Sequence, residues 1–416
     1  GFDTDLRYAS RSGASSIGAY EGVIDATPPV ISYTSLSRTF ELTNRPLSAV
    51  ITDESGINTT TFKPRVYYKK STDSNVFRGN TSGDEGWKST EATNNSSPFN
   101  FIIDYSKLFG GSASAGNYIE YFIAAQDNAD SANLSSVVDL ALGTNTASIN
   151  YSPLYNNSYL ITDTPLSGDY TVGSGGAFAT LYDAVTYLNT NGINGNASLS
   201  IISDIADFPC LMNEFYDYTG SSYLTIKPSG SSRIISMNNS SDTGFIKLDR
   251  VKRLMVDGRI GGAGNNLTFR KTNSNFDYSS AFQFLNYELT DTTGCRDILI
   301  RNCNFTDEDN SKKFNSAISF SVGKHTNVRI SNNDFKNCKN AIYDNYFSGN
   351  NDSLIISGNS FGSRTTNDYN TNDIKIKDSR NAVISGNTFK SCIQNGIHLE
   401  YTSSRTKIFN NIFGTK

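Results

Sequence analysis

No stretch of this 416-residue sequence stays apolar long enough to cross a membrane as a helix. There is no initiating Met and no signal-like segment. The chain begins at Gly1, as expected of a processed form or an excised segment. No Cys-x-x-Cys pair occurs among the five cysteines, which gives a zinc site little footing. Basic charge is not in excess: 36 Lys and Arg stand against 40 Asp and Glu, a net charge of −4. A nucleic acid or an anionic membrane would call for a basic stripe, so neither is expected as a partner, and no direct membrane insertion is expected. Charged residues are only 18% of the chain, and Asn, Ser, Thr, Gly and Tyr are abundant. That is the profile of an extracellular β protein with many polar bends.

What is present is a short phrase written five times near the C-terminus: ILIRNCNF, VRISNNDF, LIISGNSF, AVISGNTF and TKIFNNIF. The phrases end on Phe305, Phe335, Phe361, Phe389 and Phe413, at intervals of 30, 26, 28 and 24 residues. Recurrence in this range marks a solenoid, whose repeats bury apolar surface only by stacking on their neighbours. Within a phrase the apolar positions alternate, as in Val328 and Ile330 around Arg329, or Ala382 and Ile384 around Val383. A period of two is the strand signal. Asn302, Asn332–Asn333, Gly358–Asn359, Gly386–Asn387 and Asn410–Asn411 then supply a tight bend, because Asn and Gly tolerate left-handed backbone. The Phe turns inward again. A further strand follows in several repeats, as at 317–320, 341–343, 374–376 and 396–399. Short strands and bends at about 26 residues per turn, stacked in parallel, make a parallel β-helix. Its interior is expected to hold columns of Ile and Phe, and its bends an Asn ladder that is structural.

Of the cysteines Cys210, Cys295, Cys303, Cys338 and Cys392, two share a repeat position: Cys338 and Cys392 each follow a phrase-ending Phe by three residues. A whole turn, with Arg364 at that position, lies between them. Two strand spacings put their backbones about 9–10 Å apart, beyond the roughly 7 Å a disulfide spans. Free, packed thiols are expected.

Upstream, residues 1–23 are rich in Ser and Gly and end near Ile17-Gly18-Ala19-Tyr20-Glu21. Residues 24–140 open with Asp25-Ala26-Thr27-Pro28-Pro29 and carry alternating strands at 47–51, 65–68, 99–103 and 118–123, with turns between them. That cadence suggests a β-sandwich. Residues 141–168 are polar and turn-rich, as a linker would be. At 169 a new unit starts. Leu181, Ala184, Val185 and Leu188 fall on one helical face, with Thr180 as N-cap, Asp183 three residues on, and Gly192 as the stop. Such a helix would plug the open apolar end of the solenoid. Strands follow at 199–202, 224–226 and 254–256, for eight or nine turns in all and a rod of roughly 40 Å.

These motifs resemble known modules. The Gly-Gly-x-Phe-x-Thr-Leu cap (175–181) and the Ile-x-x-Asn-x-Phe phrases resemble the right-handed parallel β-helix proteins of the pectate-lyase-like superfamily. Residues 25–140, with Thr-Pro-Pro, Ile-Thr-Asp-x-Ser-Gly-Ile (51–57) and Tyr-Phe-Ile-Ala-Ala-Gln-Asp (121–127), resemble Ig-like or fibronectin-like modules. The phrase at 17–21 is similar to the closing phrase of β-helices in large secreted and surface proteins of Bacteroidetes-type bacteria. The resemblance implies an all-β chain: an N-terminal Ig-like β-sandwich, then a right-handed parallel β-helix (169–416) with an N-terminal capping helix. It implies location outside the cell or at the bacterial surface. A closing phrase ahead of the sandwich is out of order. Either the chain is cut from a longer array, or residues 1–22 of one copy cap the open β-helix end of the next and build a filament.

Chemistry on the scaffold has few candidates. Hydrolysis would need two carboxylates across a groove, and lyase chemistry a base beside a cation. Asp334, Asp344, Asp368, Asp373, Asp378 and Glu400, with Arg329, Arg364 and Arg380, do not recur at one repeat position. His398 and Glu400 lie two apart on one strand and could share a face. His325 falls in a loop with no evident partner. In the sandwich, an Ig-like topology brings the start of the first strand at Asp25 together with the strand ends at Asp53 and Asp127. Three converging carboxylates suit calcium; no other cofactor is expected. The leading expectation is a non-catalytic structural or adhesive segment of a large surface protein, a stiff rod able to hold glycans or neighbouring copies of itself. A carbohydrate-active lyase or hydrolase, and a head-to-tail filament subunit, are the alternatives.

Overall fold

In the computed structural model the described residues are 25, 27–129, 132–136, 145–149, 156–237, 244–272, 279–287, 293–307, 313–321, 323–344, 351–362, 370–377, 379–400 and 404–414. The expected closing phrase at 17–21 lies outside them. The chain divides into two units, 1–163 and 164–416.

The first unit holds two antiparallel sheets. One orders the strands Val30–Ser32, Arg45–Thr52 and Phe99–Ile103; the other orders Lys88–Glu91, Arg65–Lys70, Tyr118–Gln126 and Leu134–Ser136, with Asn157–Leu160 also pairing to Tyr118–Gln126. Alternate residues of both sheets (Leu47, Ala49, Ile51, Phe99 and Phe101 from one, Val66, Tyr68, Ile119, Tyr121 and Ile123 from the other) share one buried cluster, which makes a sandwich. The four strands expected from the sequence all fall inside observed strands.

The second unit is a parallel β-helix. Its described strands form three parallel sheets of nine, eight and seven strands, in which each strand pairs with its counterpart one turn away. The eight-stranded second sheet matches the expected number of turns. A typical turn runs Lys324–Ser331 in the first sheet, Asp334–Phe335 in the second and Cys338–Asp344 in the third. Two of its columns follow directly from the repeated phrase. Val256, Ile300, Ile330, Ile356, Ile384 and Ile408 are in register on the first sheet. Phe269, Phe305, Phe335, Phe361, Phe389 and Phe413 stack face to face, with centroids 4.6–5.4 Å apart and planes within 15°. Each such pair contributes about 0.5–1.5 kcal/mol beyond the area it buries.

The bend between first and second sheets behaves as its residues require. Asn302, Asn332, Gly358, Gly386 and Asn410 take positive φ of 54–66°. The next residue points inward. Asn333, Asn359, Asn387 and Asn411 form a ladder in which each of the first three donates its Nδ2 to the Oδ1 one turn on, at 3.0–3.1 Å. Each Oδ1 also accepts the backbone N–H of its predecessor, and each Nδ2 also donates to a carbonyl of the preceding turn. The ladder ends on Cys303, whose N–H donates to Asn333 Oδ1 at 2.9 Å.

A second left-handed column was not legible. Asp297, Asn327, Ser353, Asn381 and Arg405, each just ahead of a phrase, and Arg253, ahead of Leu254, have φ of 51–60°. Left-handed backbone costs an ordinary L-residue about 1–2 kcal/mol. Ser353→Gly is therefore expected to raise stability by roughly 0.5–1 kcal/mol, once the larger unfolded-state freedom of Gly is deducted. A urea titration in which the midpoint drops instead would contradict the strain.

An α-helix, α1 (Leu181–Asn191), forms as read: Thr180 is the N-cap, its hydroxyl accepts from Asp183 N while Asp183 caps in return, and Gly192 follows with φ 74°. Leu181, Ala184, Val185 and Leu188 join the buried cluster of the first turn, with Leu199, Ile201 and Met212. Asp207 Oδ2, from that turn, accepts Leu181 N–H at 2.7 Å and adds an anion at the helix start.

Three expectations differ from what is found. Within 141–168, Asn157–Leu160 is a strand of the sandwich and Leu166–Val172 opens the nine-stranded sheet, so this stretch is not only a connector. All five cysteines are free, but the residue between Cys338 and Cys392 in their column is Asn370: Cys338 N–H donates to Asn370 Oδ1 at 2.9 Å, and Asn370 pairs with Cys392. Arg364 lies outside the described residues; the insertion before Asn370 shifts the count. His325 is not in a loop but in the strand Lys324–Ser331, buried, with Nδ1 accepting Cys295 N–H at 3.0 Å.

Candidate functional site

The structure brings Asp25, Asp53 and Asp127 together. Asp25 precedes the strand Val30–Ser32, while Asp53 and Asp127 directly follow Arg45–Thr52 and Tyr118–Gln126. One carboxylate oxygen from each lies within 4.8 Å of the others. Strand direction produces this: two strands, one from each sheet, end at the pole where the first begins. Asp127 is fully buried, and the other two are partly so.

Local hydrogen bonds fix the orientation of each carboxylate. Asp53 Oδ1 accepts Ser55 N–H at 2.9 Å and its hydroxyl at 2.8 Å, and Asp25 Oδ1 accepts Thr27 N–H at 2.9 Å. Asp127 Oδ1 accepts Asn133 N–H at 2.7 Å, and Oδ2 accepts Asn133 Nδ2 at 2.6 Å. Asn133 Nδ2 also donates to the backbone carbonyl of residue 25 at 3.0 Å, so one side chain clamps two arms of the cluster. Asn133 was missed in the sequence, where it is one more polar residue in a turn. Asp25 Oδ2 is buried with no hydrogen-bond partner. Three carboxylates this close repel, and an orphaned buried oxygen among them lacks a positive charge or a donor. Hard oxygen ligands in this number suit a calcium ion completed by carbonyls and water.

The acids of the β-helix scatter. Asp344 and Asp373 point into the core; Asp344 Oδ2 accepts Asn351 Nδ2 at 2.9 Å. Asp334 pairs with Lys336 at 2.9 Å on the second sheet. Arg329 and Arg380 are exposed. Asp368, Asp378 and Arg364 lie outside the described residues. His398 and Glu400 do share a face, with Nε2 to Oε1 at 3.4 Å. Lys375, one turn below, completes that cluster: its Nζ is 2.7 Å from Glu400 Oε1 and 5.6 Å from the centre of the Tyr343 ring. The Lys375 hydrogen bond holds the Glu400 carboxyl below its usual range. This is a half-buried ion pair with an imidazole beside it.

Comparison with known proteins adds little. Residues 213–416, just under half the chain, match the family model described as "Periplasmic copper-binding protein (NosD)". No curated protein matches the chain. Among solved structures, the pectin methylesterase from Aspergillus niger in deglycosylated form matches at 15% identity over 60% of this chain and 88% of that one, with a TM-score of 0.29. A likeness that slight carries no argument, and the β-helix assignment rests on the strand register.

Proposed function

We propose that this chain is a non-catalytic structural segment of a bacterial envelope or surface protein, in which a stiff β-helix accompanies a calcium-binding sandwich. The observation that carries the reading is that the residues repeated in register are packing residues. Ile and Phe fill the core, and the repeated Asn satisfy one another along the axis. The acids that hydrolysis or elimination would need are split between the core and separate sheets. A periplasmic description for the family matching 213–416 supports a location outside the cytoplasm. The strand order of the sandwich supports an Ig-like or fibronectin-like module, and the packing of α1 on the first turn supports its role as the cap. The polar outer surface, with Tyr343 and partly exposed amides such as Asn372 and Asn395, suits glycans as the partner class.

Copper does not fit. Among the described residues the one group of three His, Cys, Asp or Glu ligand atoms close enough to share an ion is the Asp25–Asp53–Asp127 group, outside the matching stretch. His325 is buried with Nδ1 engaged, and Cys210, Cys295, Cys303 and Cys338 are packed in the core.

Calcium binding is tested by thermal unfolding. A ligand that binds only the folded state at 100 to 1,000 times its dissociation constant stabilises by about 2.7–4.1 kcal/mol. Millimolar calcium is expected to raise the Tm of the sandwich, and Asp127→Asn to abolish the rise. An unchanged Tm with no heat of binding would exclude the site. The non-catalytic reading is tested by screening turnover of acidic and neutral polysaccharides. Turnover that disappears in Glu400→Gln would establish the enzyme alternative. Loss of self-association on deleting residues 1–22 would instead favour the filament.

A further inference from the structure

Register along the third sheet exposes one residue out of character. The column Ala281, Ala317, Ala341, Asp373, Gly396 follows from the paired neighbours on either side, Ser280/Ser316/Asn340/Asn372/Asn395 and Phe282/Ile318/Ile342/Ile374/Ile397. The column faces the Phe stack: a Cβ added at Gly396 would lie 3.0 Å from the ring of Phe413 and 3.4 Å from that of Phe389. Small apolar residues suit such a position. Asp373 alone places a carboxyl there.

The carboxyl is fully buried. Oδ1 accepts a single hydrogen bond, from Asn370 Nδ2 at 2.7 Å, and Oδ2 has no partner. Asn370 is itself committed, accepting Cys338 N–H and donating to Phe335 O at 3.4 Å. The strand below contributes Cys338, Tyr343, Asp344 and Lys339, the last exposed on the outer face; the strand above contributes Cys392, His398 and Glu400. On its own strand, Lys375 is paired outward with Glu400, and Lys377 adds to the positive field at Glu400. The second-sheet strands across the core, Ser360–Phe361 and Thr388–Phe389, carry no titratable group. A negative charge on Asp373 would push the buried Cys338 thiol further up, so the two disfavour each other's ionisation. An ionised carboxylate with one amide donor in an apolar core is strongly disfavoured, and burial pushes the Asp373 pKa up to about 8.

We propose that Asp373 is an acid latch: its neutral carboxyl lets the last turns of the β-helix, residues 370–413, stay stacked, and its ionisation releases them. The proton has no internal acceptor, so it leaves to solvent only as the strand opens. The carboxylate then formed stays hydrated, which holds the opened turns apart.

Hydrogen exchange on the full chain between pH 6 and 10, corrected for the intrinsic rate, tests this. Amides of 374–377, 383–385 and 407–409 are expected to lose protection by up to about tenfold per pH unit as pH rises to about 8 and to level off above it, while those of 224–228 and 254–256 stay unchanged throughout. Asp373→Ala, which restores the residue of the column, is expected to fold and to abolish the pH dependence; Asp373→Asn, which keeps the shape, should do the same. Uniform protection across the solenoid in the wild type, or an unchanged pH dependence in both variants, overturns the proposal. So does titration of the Asp373 carboxyl, followed by its 13C shift, without loss of protection.

Discussion

Asn359→Ala is expected to cost about 4 kcal/mol, although it removes one small polar side chain. Asn359 stands in the middle of the ladder and is buried. Its Oδ1 accepts both the backbone N–H of Asn333 at 2.9 Å and Asn333 Nδ2 at 3.1 Å, while its own Nδ2 serves Ile330 O and Asn387 Oδ1. Truncation leaves two donors on Asn333 without acceptors in a region that water does not reach. Each buried unsatisfied group costs about 1–3 kcal/mol, and bonds arranged in a chain strengthen one another. Asn411→Ala should cost less, because Asn411 is only partly buried and water can replace it for Asn387. Urea titrations of both variants, reading the β-helix transition, give the comparison. A loss below about 1 kcal/mol at Asn359, or equal losses at the two positions, would mean that the ladder is ornamental.

The second large effect is with pH, and in the wild type it is hidden. His325 lies between Phe284 and Phe320, its ring 5.5 and 5.8 Å from theirs. Its Nδ1 accepts a backbone N–H, so the ring must be neutral there, and burial pushes its pKa down to about 3. An unfolded chain binds a proton on this residue below about pH 6.5. His325 therefore contributes stability that is present above about pH 6.5 and lost as pH falls toward 3. Asp373, with its pKa raised to about 8, has the opposite sign: its contribution is present below about pH 4 and lost as pH rises toward 8. Between about pH 4 and 6.5 the unfolded state holds one extra proton on His325 and the folded state one on Asp373, so the slopes cancel.

Asp373→Asn should uncover the histidine. Stability of the variant is expected to fall by roughly 3 kcal/mol from pH 6.5 to 4, at about 1.4 kcal/mol per unit, where the wild type is nearly flat. The carboxylates held low, such as Asp217 and Asp257, act below this window. Asp207, held high by burial, adds to the Asp373 side. A variant as flat as the wild type would show that His325 is accessible to a proton in the folded state.

The fold was legible where local chemistry and global register agree. Ile330, the bend at Asn332–Asn333 and Phe335 each state their own geometry, and five repetitions leave one way to stack them. The Asp25–Asp53–Asp127 group was legible for a different reason, since strand direction in an alternating sandwich determines which ends meet. What escaped notice had no chemical signature. The left-handed column ahead of the phrases is filled by Arg, Asp, Asn and Ser, so its backbone requirement is not written in any one residue type. Asn157–Leu160 carries a single inward apolar residue, Tyr159, and Leu166–Val172 is interrupted by Gly168 and Asp169. Asp373 looked like a surface acid because the insertion before Asn370 conceals its register with Ala341. Lys375 joins His398 and Glu400 only through the stacking of turns, which spacing along the chain does not reveal.

One dimension is constant in the five turns that carry the repeated phrase. From the inward Ile of the first sheet to the stacked Phe of the second is five residues in every copy: 300 to 305, 330 to 335, 356 to 361, 384 to 389 and 408 to 413. From that Phe to the inward Ile of the third sheet the distance is 13, 7, 13 and 8 residues in the first four copies, ending at Ile318, Ile342, Ile374 and Ile397. The two kinds of corner divide the labour of inheritance. In these five turns the short corner is a gauge that resets the register, so whatever is spliced into the long corner does not propagate an error to the next. A chain built this way can gain, lose or exchange surface loops one at a time and still present the same end to the next turn.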